Sequence, residues 1–128
     1  MAGAKGLLTP RQVYARLPSV RRARQEQFVV FCLNSRGLPF RRELVSKGIL
    51  NATLVHPREV FATAILHNAA SIVVVHNHPS GDTEASADDL DITARLVKAG
   101  QILGIELADH VIVAEGGYTS LREAGFIS

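Results

Sequence analysis

The sequence predicts an α/β fold in which a mixed sheet is packed between helices. The chain has 128 residues, a length typical of one domain, and 47% of them are hydrophobic, which is enough for a buried core. Strand-like segments come first along the chain, and helical and strand-like segments then alternate. The β-branched run Ser71–Val75 has the composition of a strand that is buried on both faces.

The N-terminal part is predicted to contain a tail, a short helix and two strands. Residues 1–8 are expected to form a flexible tail, and residues 9–128 a single domain. Thr9 is a suitable N-cap and Pro10 a suitable first helical residue, so a helix is expected to end near Leu17. Runs rich in Phe and Val then predict strands around a hairpin turn. These segments are the strand Gln27–Asn34, the turn Ser35–Gly37, the strand Leu38–Ser46 and a shorter extended piece, Ile49–Ala52.

Two longer helices and three strands are predicted in the remainder of the chain. The first helix begins at Pro57 and ends near Asn68. The second runs from Ser86 to about Ala99, and Gly100 is expected to follow its C-cap. The inward face of this second helix is expected to carry Leu90, Ala94 and Val97. The strands are Ser71–His76, Gly104–Ala114 and Tyr118–Leu121.

Composition excludes several classes of protein. The single cysteine, Cys32, rules out an internal disulfide and a cysteine-rich zinc site. No stretch of about 18 apolar residues and no long signal-type segment occurs, so we expect a cytoplasmic protein with no membrane partner. The chain also lacks the H-E-x-x-H string of zincin proteases and the P-C-x-x-C string of zinc deaminases.

Charge is distributed unevenly along the chain. Ten of the 14 Lys and Arg residues, but only two of the 12 acids, occur up to Lys47. A basic N-terminal half could contact nucleic acid or an acidic partner surface. It could equally be a solvated face, because no nucleic-acid-binding motif and no interleaved aromatic residues accompany it.

A compact set of metal-ligand residue types follows the central strand. Side chains two residues apart on a strand point to the same side, so His76 and His78 can converge at the strand's end. Asp89 follows in the first turn of a predicted helix. Two imidazoles and one carboxylate are the ligands of a catalytic zinc site that leaves one position open. The alternative is a structural histidine pair without a metal.

The full pattern H-x-H-P-x6-S-x2-D resembles the motif of the JAMM/MPN (JAB) zinc metalloprotease superfamily. Three further strings are His76–Asp82, Leu107–His110 and Tyr118–Glu123, and they make the chain similar to the RadC family within it. The resemblance implies a three-layer α/β/α sandwich of the cytidine-deaminase-like type and a Zn²⁺-dependent hydrolase that acts on a peptide or protein.

Ser86 and Asp89 permit two interpretations. Ser-x-x-Asp before an apolar run is similar to a capping box, which would explain both residues without a metal. The two interpretations are compatible, because a capped first turn would aim Asp89 at the strand's end. By resemblance, Ser86 is a catalytic residue that polarises the scissile carbonyl oxygen through its hydroxyl.

A hydrolase of this kind also needs a base, which the resembled family takes from a glutamate on an upstream strand. The acids between Ser35 and His76 are Glu43 and Glu59. Glu43 lies on a predicted strand and is assigned as the catalytic base. Glu59 lies in the first turn of a helix and is assigned to capping. An ion pair with a neighbouring basic residue is the alternative for Glu43.

Two functions therefore remain open from the sequence. The first is a zinc-dependent hydrolase of amide or isopeptide bonds, with His76, His78 and Asp89 as metal ligands and Glu43 and Ser86 as catalytic residues. The second is a nucleic-acid-binding module that uses the same fold as a scaffold for its basic N-terminal half. His110, which follows Asp109, is expected to pack near the site without binding the metal.

Overall fold

The computed structural model describes residues 8–48 and 55–128. The predicted tail falls mainly in residues 1–7, and the extended piece Ile49–Ala52 falls in residues 49–54, so both predictions lie outside the described residues. None of the helices in the described ranges has the length and hydropathy needed to cross a membrane. The elements are α1 (Pro10–Arg16), α2 (Pro18–Arg21), β1 (Gln27–Leu33), β2 (Pro39–Lys47), α3 (Pro57–Leu66), β3 (Ser71–Asn77), α4 (Ala87–Leu103), β4 (Glu106–Ala114) and β5 (Gly117–Ser120).

The five strands form one mixed sheet with the order β2-β1-β3-β4-β5. β3 and β4 are parallel and are connected through α4, whereas the other neighbouring strands are antiparallel. His76 on β3 pairs with Phe28 on β1 and with Ile112 on β4. The mixed sheet predicted from the sequence is confirmed, and the chain passes from the C-terminal end of β3 towards the N-terminus of α4.

Helices cover both faces of the sheet, because alternate strand residues enter two separate hydrophobic cores. On one face, Val30 and Val74 pack with Phe61 of α3 and Leu96 of α4. On the other face, strand residues such as Val29, Val73 and Val111 pack with α1 and α2. The predicted three-layer α/β/α arrangement is therefore confirmed. Even-numbered residues of β1 and β3 face α3 and α4.

The N-terminal helix ends where the sequence predicts, with Leu17 as its C-cap, and a second helical turn follows it. The hydroxyl of Thr9 accepts the Gln12 N–H at 3.1 Å and the Gln12 side chain accepts the Thr9 N–H at 3.0 Å, so the expected N-cap is present. α1 ends at Arg16, because Pro18 begins the separate turn α2. The restriction that a proline places on the residue before it explains this break.

The predicted end of α4 is wrong. The helix continues to Leu103, and Gly104 rather than Gly100 takes the left-handed C-cap conformation, with φ of 73°. Gly100 is buried inside the helix, where a Cβ would meet the Ile105 carbonyl oxygen and would lie 3.4 Å from Cζ of Phe61. Gly100 therefore permits close packing instead of ending the helix. Ala94, predicted to face inward, is exposed.

Gly100→Ala is expected to destabilise the protein by about 1–3 kcal/mol, because the added methyl group overlaps the Ile105 carbonyl oxygen. Helix propensity alone predicts that Gly100→Ala stabilises the protein, since alanine is favoured over glycine in helices by about 1 kcal/mol. Urea unfolding measures the change. Ala94→Gly, at an exposed position of the same helix, is the control and should cost about 1 kcal/mol from propensity alone. A Gly100→Ala protein more stable than the wild type would contradict this packing role.

Candidate metal centre

The end of β3 presents His76 and His78 towards α4. His76 is buried, with 3% of its surface exposed, and its ring stacks on Phe28 of the neighbouring strand. His78 lies one residue beyond β3, and its backbone N–H bonds the carbonyl oxygen of Val113 at 3.0 Å. The parallel neighbour β4 thus continues to hold the chain after β3 ends. Both imidazoles are placed at the same side of the sheet, as the spacing predicts.

Asn77 lies between the two histidines, and its side chain points to the opposite face of the sheet, where it hydrogen-bonds the backbone before and at the start of β1. Its side-chain oxygen accepts the Gln27 N–H at 2.6 Å. Its amide group donates to the carbonyl oxygens of Ala23 at 3.2 Å and Gln25 at 3.1 Å. Because Asn77 is fully buried, these three bonds fix the approach of the chain to β1. Asn77 is therefore structural, a role that the sequence analysis did not assign.

The first turn of α4 supplies the carboxylate. The Ser86 hydroxyl accepts the Asp89 N–H at 3.1 Å, and Oδ2 of Asp89 accepts the Ser86 N–H at 2.8 Å, which is a complete capping box. The same carboxylate faces both histidines. Capping and convergence on the strand's end occur together at Asp89, so the two interpretations drawn from the sequence are compatible in the structure.

Three potential ligand groups meet at one point. Nε2 of His76 lies 2.8 Å from Oδ1 of Asp89, and Nε2 of His78 lies 3.0 Å from Oδ2. The two Nε2 atoms are 3.1 Å apart. Among residues 8–48 and 55–128, these three side chains form the group with metal-ligand geometry. The sequence-predicted ligand set is therefore brought together.

A backbone carbonyl fixes the tautomer of His78. Nδ1 of His78 lies 2.7 Å from the carbonyl oxygen of Asp82, which can only accept a hydrogen bond. Nδ1 must therefore carry the hydrogen. In the neutral ring, Nε2 is then left with a lone pair that points towards His76 and Asp89.

A longer chain of contacts favours one tautomer of His76. When the Thr93 hydroxyl donates its hydrogen to the Asp89 carbonyl oxygen at 2.7 Å, it accepts from Nδ1 of His110, which lies 2.6 Å away. Nε2 of neutral His110 then accepts from Nδ1 of His76 at 2.8 Å. This direction keeps all three hydrogen bonds and leaves a lone pair on Nε2 of His76.

In this arrangement two imidazole lone pairs and a carboxylate face one another, and either a bound cation or protons on the rings would offset their repulsion. In tetrahedral zinc sites with metal–ligand distances near 2.0–2.1 Å, neighbouring ligand atoms are about 3.3 Å apart. The three closest approaches here are 2.8, 3.0 and 3.1 Å. An outward shift of a few tenths of an ångström fits zinc, and ligand histidines characteristically donate their other ring N–H as these do.

The electrostatics of the site make a proton and a cation compete for the same place. The hydrogen bond with Asp89 raises the pKa of His78, so a proton on its Nε2 is the alternative to a bound metal. Burial would raise the pKa of Asp89, but its bonds with His76 and His78 outweigh burial and lower that pKa far below the usual range. Burial lowers the pKa of His110 well below its ordinary value, which keeps that ring neutral. The carboxylate is therefore ionised and His110 can accept a hydrogen bond.

The two glutamates considered as the base have different surroundings. Glu59 accepts the His56 N–H at 3.2 Å at the start of α3, which confirms its assignment to capping. Glu43 pairs with Arg41 at 3.1 Å and accepts from Thr63 at 3.4 Å, and it is not part of the group with metal-ligand geometry. The ion pair considered as an alternative for Glu43 is therefore present.

The sheet register places Glu43 on the same face as His76. Glu43 pairs with Val30, which pairs with Val74, two residues before His76. Two strand spacings and two residues correspond to roughly 12 Å between the Cα atoms of Glu43 and His76. Side chains of this length can approach each other across such a distance through a water molecule.

Thr93 and the role of His110 towards His76 were not predicted from the sequence. Thr93 lies four residues after Asp89 and therefore on the same helix face, which was a usable signal. His110 could not be placed without the pairing of Val74 with His110 across the parallel strands.

Known proteins are similar to this sequence over nearly its whole length. The sequence model of the RadC-like JAB domain matches residues 7–126. A UPF0758 protein of Methanosarcina barkeri is 42% identical over 120 residues, which cover 93% of this chain and 52% of that protein. A UPF0758 protein of Symbiobacterium thermophilum is 49% identical over 123 residues, covering 95% and 53%. One from Staphylococcus aureus strain NCTC 8325 is 46% identical over 110 residues, covering 86% and 50%.

The chain thus spans about half the length of the curated relatives it matches. The family match includes the histidine segment at the end of β3, the start of α4 and the β4–β5 hairpin. Together with the mixed sheet and the His76-His78-Asp89 group, the match and the identities show that this chain belongs to the RadC-like JAB domain family.

Proposed function

We propose that this domain is a zinc-dependent hydrolase of amide or isopeptide bonds in a peptide or protein. The observation that carries the proposal is the convergence of the two Nε2 atoms and one carboxylate, with the Asp82 carbonyl oxygen fixing the tautomer of His78. JAB domains are often zinc hydrolases, which supports the same assignment. His76, His78 and Asp89 would hold the metal and leave a position open towards solvent.

When bound, zinc would supply Lewis acidity that polarises the substrate carbonyl and makes water a stronger nucleophile near neutral pH. The protein groups would handle the protons. The attacking water would form the new C–O bond and give a proton to a carboxylate oxygen of Glu43. That proton would pass to the leaving nitrogen as the C–N bond breaks. The Glu43 side chain is half-exposed, so a substrate bound at the surface could reach its carboxylate and receive the proton.

Arg41 and Thr63 support this assignment of Glu43 as the base. Both hold the same oxygen, Oε1, and so leave Oε2 available for the proton.

Ser86 would stabilise the negative charge that develops on the carbonyl oxygen. Its hydroxyl oxygen already accepts the Asp89 N–H at 3.1 Å, so the hydroxyl hydrogen is still available to donate. The side chain is exposed at the start of α4, adjacent to the ligand Asp89. Removal of one such donor typically lowers kcat by about 100- to 1,000-fold.

Nucleic-acid binding through the basic N-terminal half remains the alternative, and the contacts of its arginines bear on it. Arg21 donates to the Tyr14 carbonyl oxygen and stacks on its ring, and Arg22 pairs with Glu115. Arg41 and Arg42 bond Glu43 and the Arg16 carbonyl oxygen. These contacts favour the interpretation as a solvated face. DNA binding that persists at physiological salt and weakens linearly on a logarithmic salt scale would support the alternative instead.

Asp89→Ala should lower zinc affinity by orders of magnitude, because it removes the anionic ligand. The zinc-loaded protein should then lose more thermal stability than the metal-free protein, since bound metal stabilises the folded state by mass action. Melting curves with added zinc and with a chelator measure both effects.

The matched control is Asp88→Ala, which removes the exposed neighbouring acid from the same helical turn. It should leave zinc affinity unchanged. If Asp89 only capped α4, its loss would cost about 0.5–2 kcal/mol equally with and without zinc. Equal shifts under the two conditions would therefore refute the ligand role.

Glu43→Gln should retain zinc and lose hydrolysis by about 100- to 10,000-fold, because it removes the base without removing a ligand. Zinc content and turnover of an amide substrate, found by screening isopeptide-linked lysine peptides, measure the two properties. Glu59→Gln is the control: it weakens a helix cap and should leave turnover per folded molecule intact. Zinc loss in Glu43→Gln would make Glu43 a ligand, and full turnover would exclude it as the base.

A further inference from the structure

We infer that His110, supported by Thr93, is a positioning residue that holds His76 in the tautomer and orientation required to bind a metal. The inference rests on the proposed zinc site and assigns it two residues that do not themselves bind the metal. It follows from two buried side chains whose polar atoms are all directed along one line of hydrogen bonds.

His110 makes contacts that packing alone does not require. It is completely buried, and each of its ring nitrogens has one partner: His76 at 2.8 Å and Thr93 at 2.6 Å. Phe28 meets the His110 ring edge-on. An apolar side chain of similar volume would fill the same space without the cost of burying two polar nitrogens. The hydrogen bonds therefore give the reason for a histidine here.

The carbonyl oxygen at the end of the line of hydrogen bonds favours one direction. When the Thr93 hydroxyl donates to the Asp89 carbonyl oxygen, it accepts from Nδ1 of His110, and Nε2 of His110 accepts from Nδ1 of His76. In the reverse direction the Thr93 hydroxyl would turn to His110, and the Asp89 carbonyl would lose this hydrogen bond. We assign the first direction, which keeps all three bonds and places the hydrogen of His76 on Nδ1.

The same line connects two of the three proposed ligands. It starts at the ring of His76 and ends on the backbone of Asp89, whose side chain lies 2.8 Å from Nε2 of His76. A displacement of α4 relative to β3 would break the line and separate the two ligand groups together. His110 and Thr93 consequently fix both the tautomer of His76 and its distance from Asp89.

Without an acceptor at residue 110, the buried Nδ1–H of His76 would lack a partner. The alternative tautomer, with its hydrogen on Nε2, would donate to Asp89 and so satisfy the ring. That tautomer cannot bind a metal through Nε2. Loss of the acceptor should therefore oppose metal binding even where the fold is retained.

The test compares His110→Leu, His110→Gln and Thr93→Val. His110→Leu fills the space without an acceptor, and zinc affinity, measured by competition with a chelating dye, should fall about 10- to 100-fold. Glutamine carries an acceptor oxygen at a similar reach, so His110→Gln should recover most of this loss. Thr93→Val removes the hydroxyl group at nearly constant shape and should also lower zinc affinity. The absorption bands of the Co²⁺-substituted protein should change in His110→Leu and return towards wild type in His110→Gln.

The control is Ile92→Val, which removes a buried methylene next to Thr93 and removes no hydrogen-bonding group. It should lower the melting temperature without changing zinc affinity or the Co²⁺ spectrum. Wild-type affinity and spectrum in His110→Leu would overturn the inference, as would an equal loss in His110→Leu and His110→Gln.

Nitrogen NMR of the metal-free protein at alkaline pH separates this inference from the proposed function. The ring hydrogen of His76 should lie on Nδ1 in the wild type and on Nε2 in His110→Leu. If the two proteins differ in this way but the wild type takes up no zinc, the zinc site is contradicted and the positioning role of His110 is retained. The same tautomer in both proteins would contradict the positioning role even if zinc binds.

Discussion

The repulsion among three electron-rich groups is the constraint on which the architecture of this site depends. Two imidazole lone pairs and an ionised carboxylate lie within 3.1 Å of one another, and each is largely removed from water. Such groups separate or take up protons unless the surrounding structure holds them and a cation lies between them. The polar bonds around the site are arranged to supply this restraint.

The fold provides the restraint from three directions. Pairing of β3 with β1 and β4 fixes His76, and Asn77 anchors the same segment through the opposite face of the sheet. The loop after Pro79 returns the Asp82 carbonyl to His78. α4 then begins with the acid at a position where the partial positive charge of the helix N-terminus favours a carboxylate. The crossover from β3 to α4 is therefore the element that brings the three proposed ligands together.

Local rules predicted much of this arrangement from the sequence. The two-residue repeat of a strand placed His76 and His78 on one side, and a capping-box pattern placed Asp89 at the start of a helix. The long-range parts could not be predicted in this way. The packing of Gly100 against Ile105 and Phe61 depends on tertiary contact, so this glycine resembled a helix end. His110 is separated from His76 by 34 positions, and only the parallel register brings them together.

Each proposed ligand is held by a bond that does not involve a metal. His76 is held by His110, His78 by the Asp82 carbonyl, and Asp89 by the Ser86 N–H. Metal binding would then order few additional side chains, so little of its free energy would be lost as conformational entropy. Removal of the metal would leave the helix cap, the strand pairing and the line of hydrogen bonds through His110 and Thr93 intact. The capping box and the proposed metal centre share Asp89, so the cap keeps the carboxylate in place whether or not a cation is present.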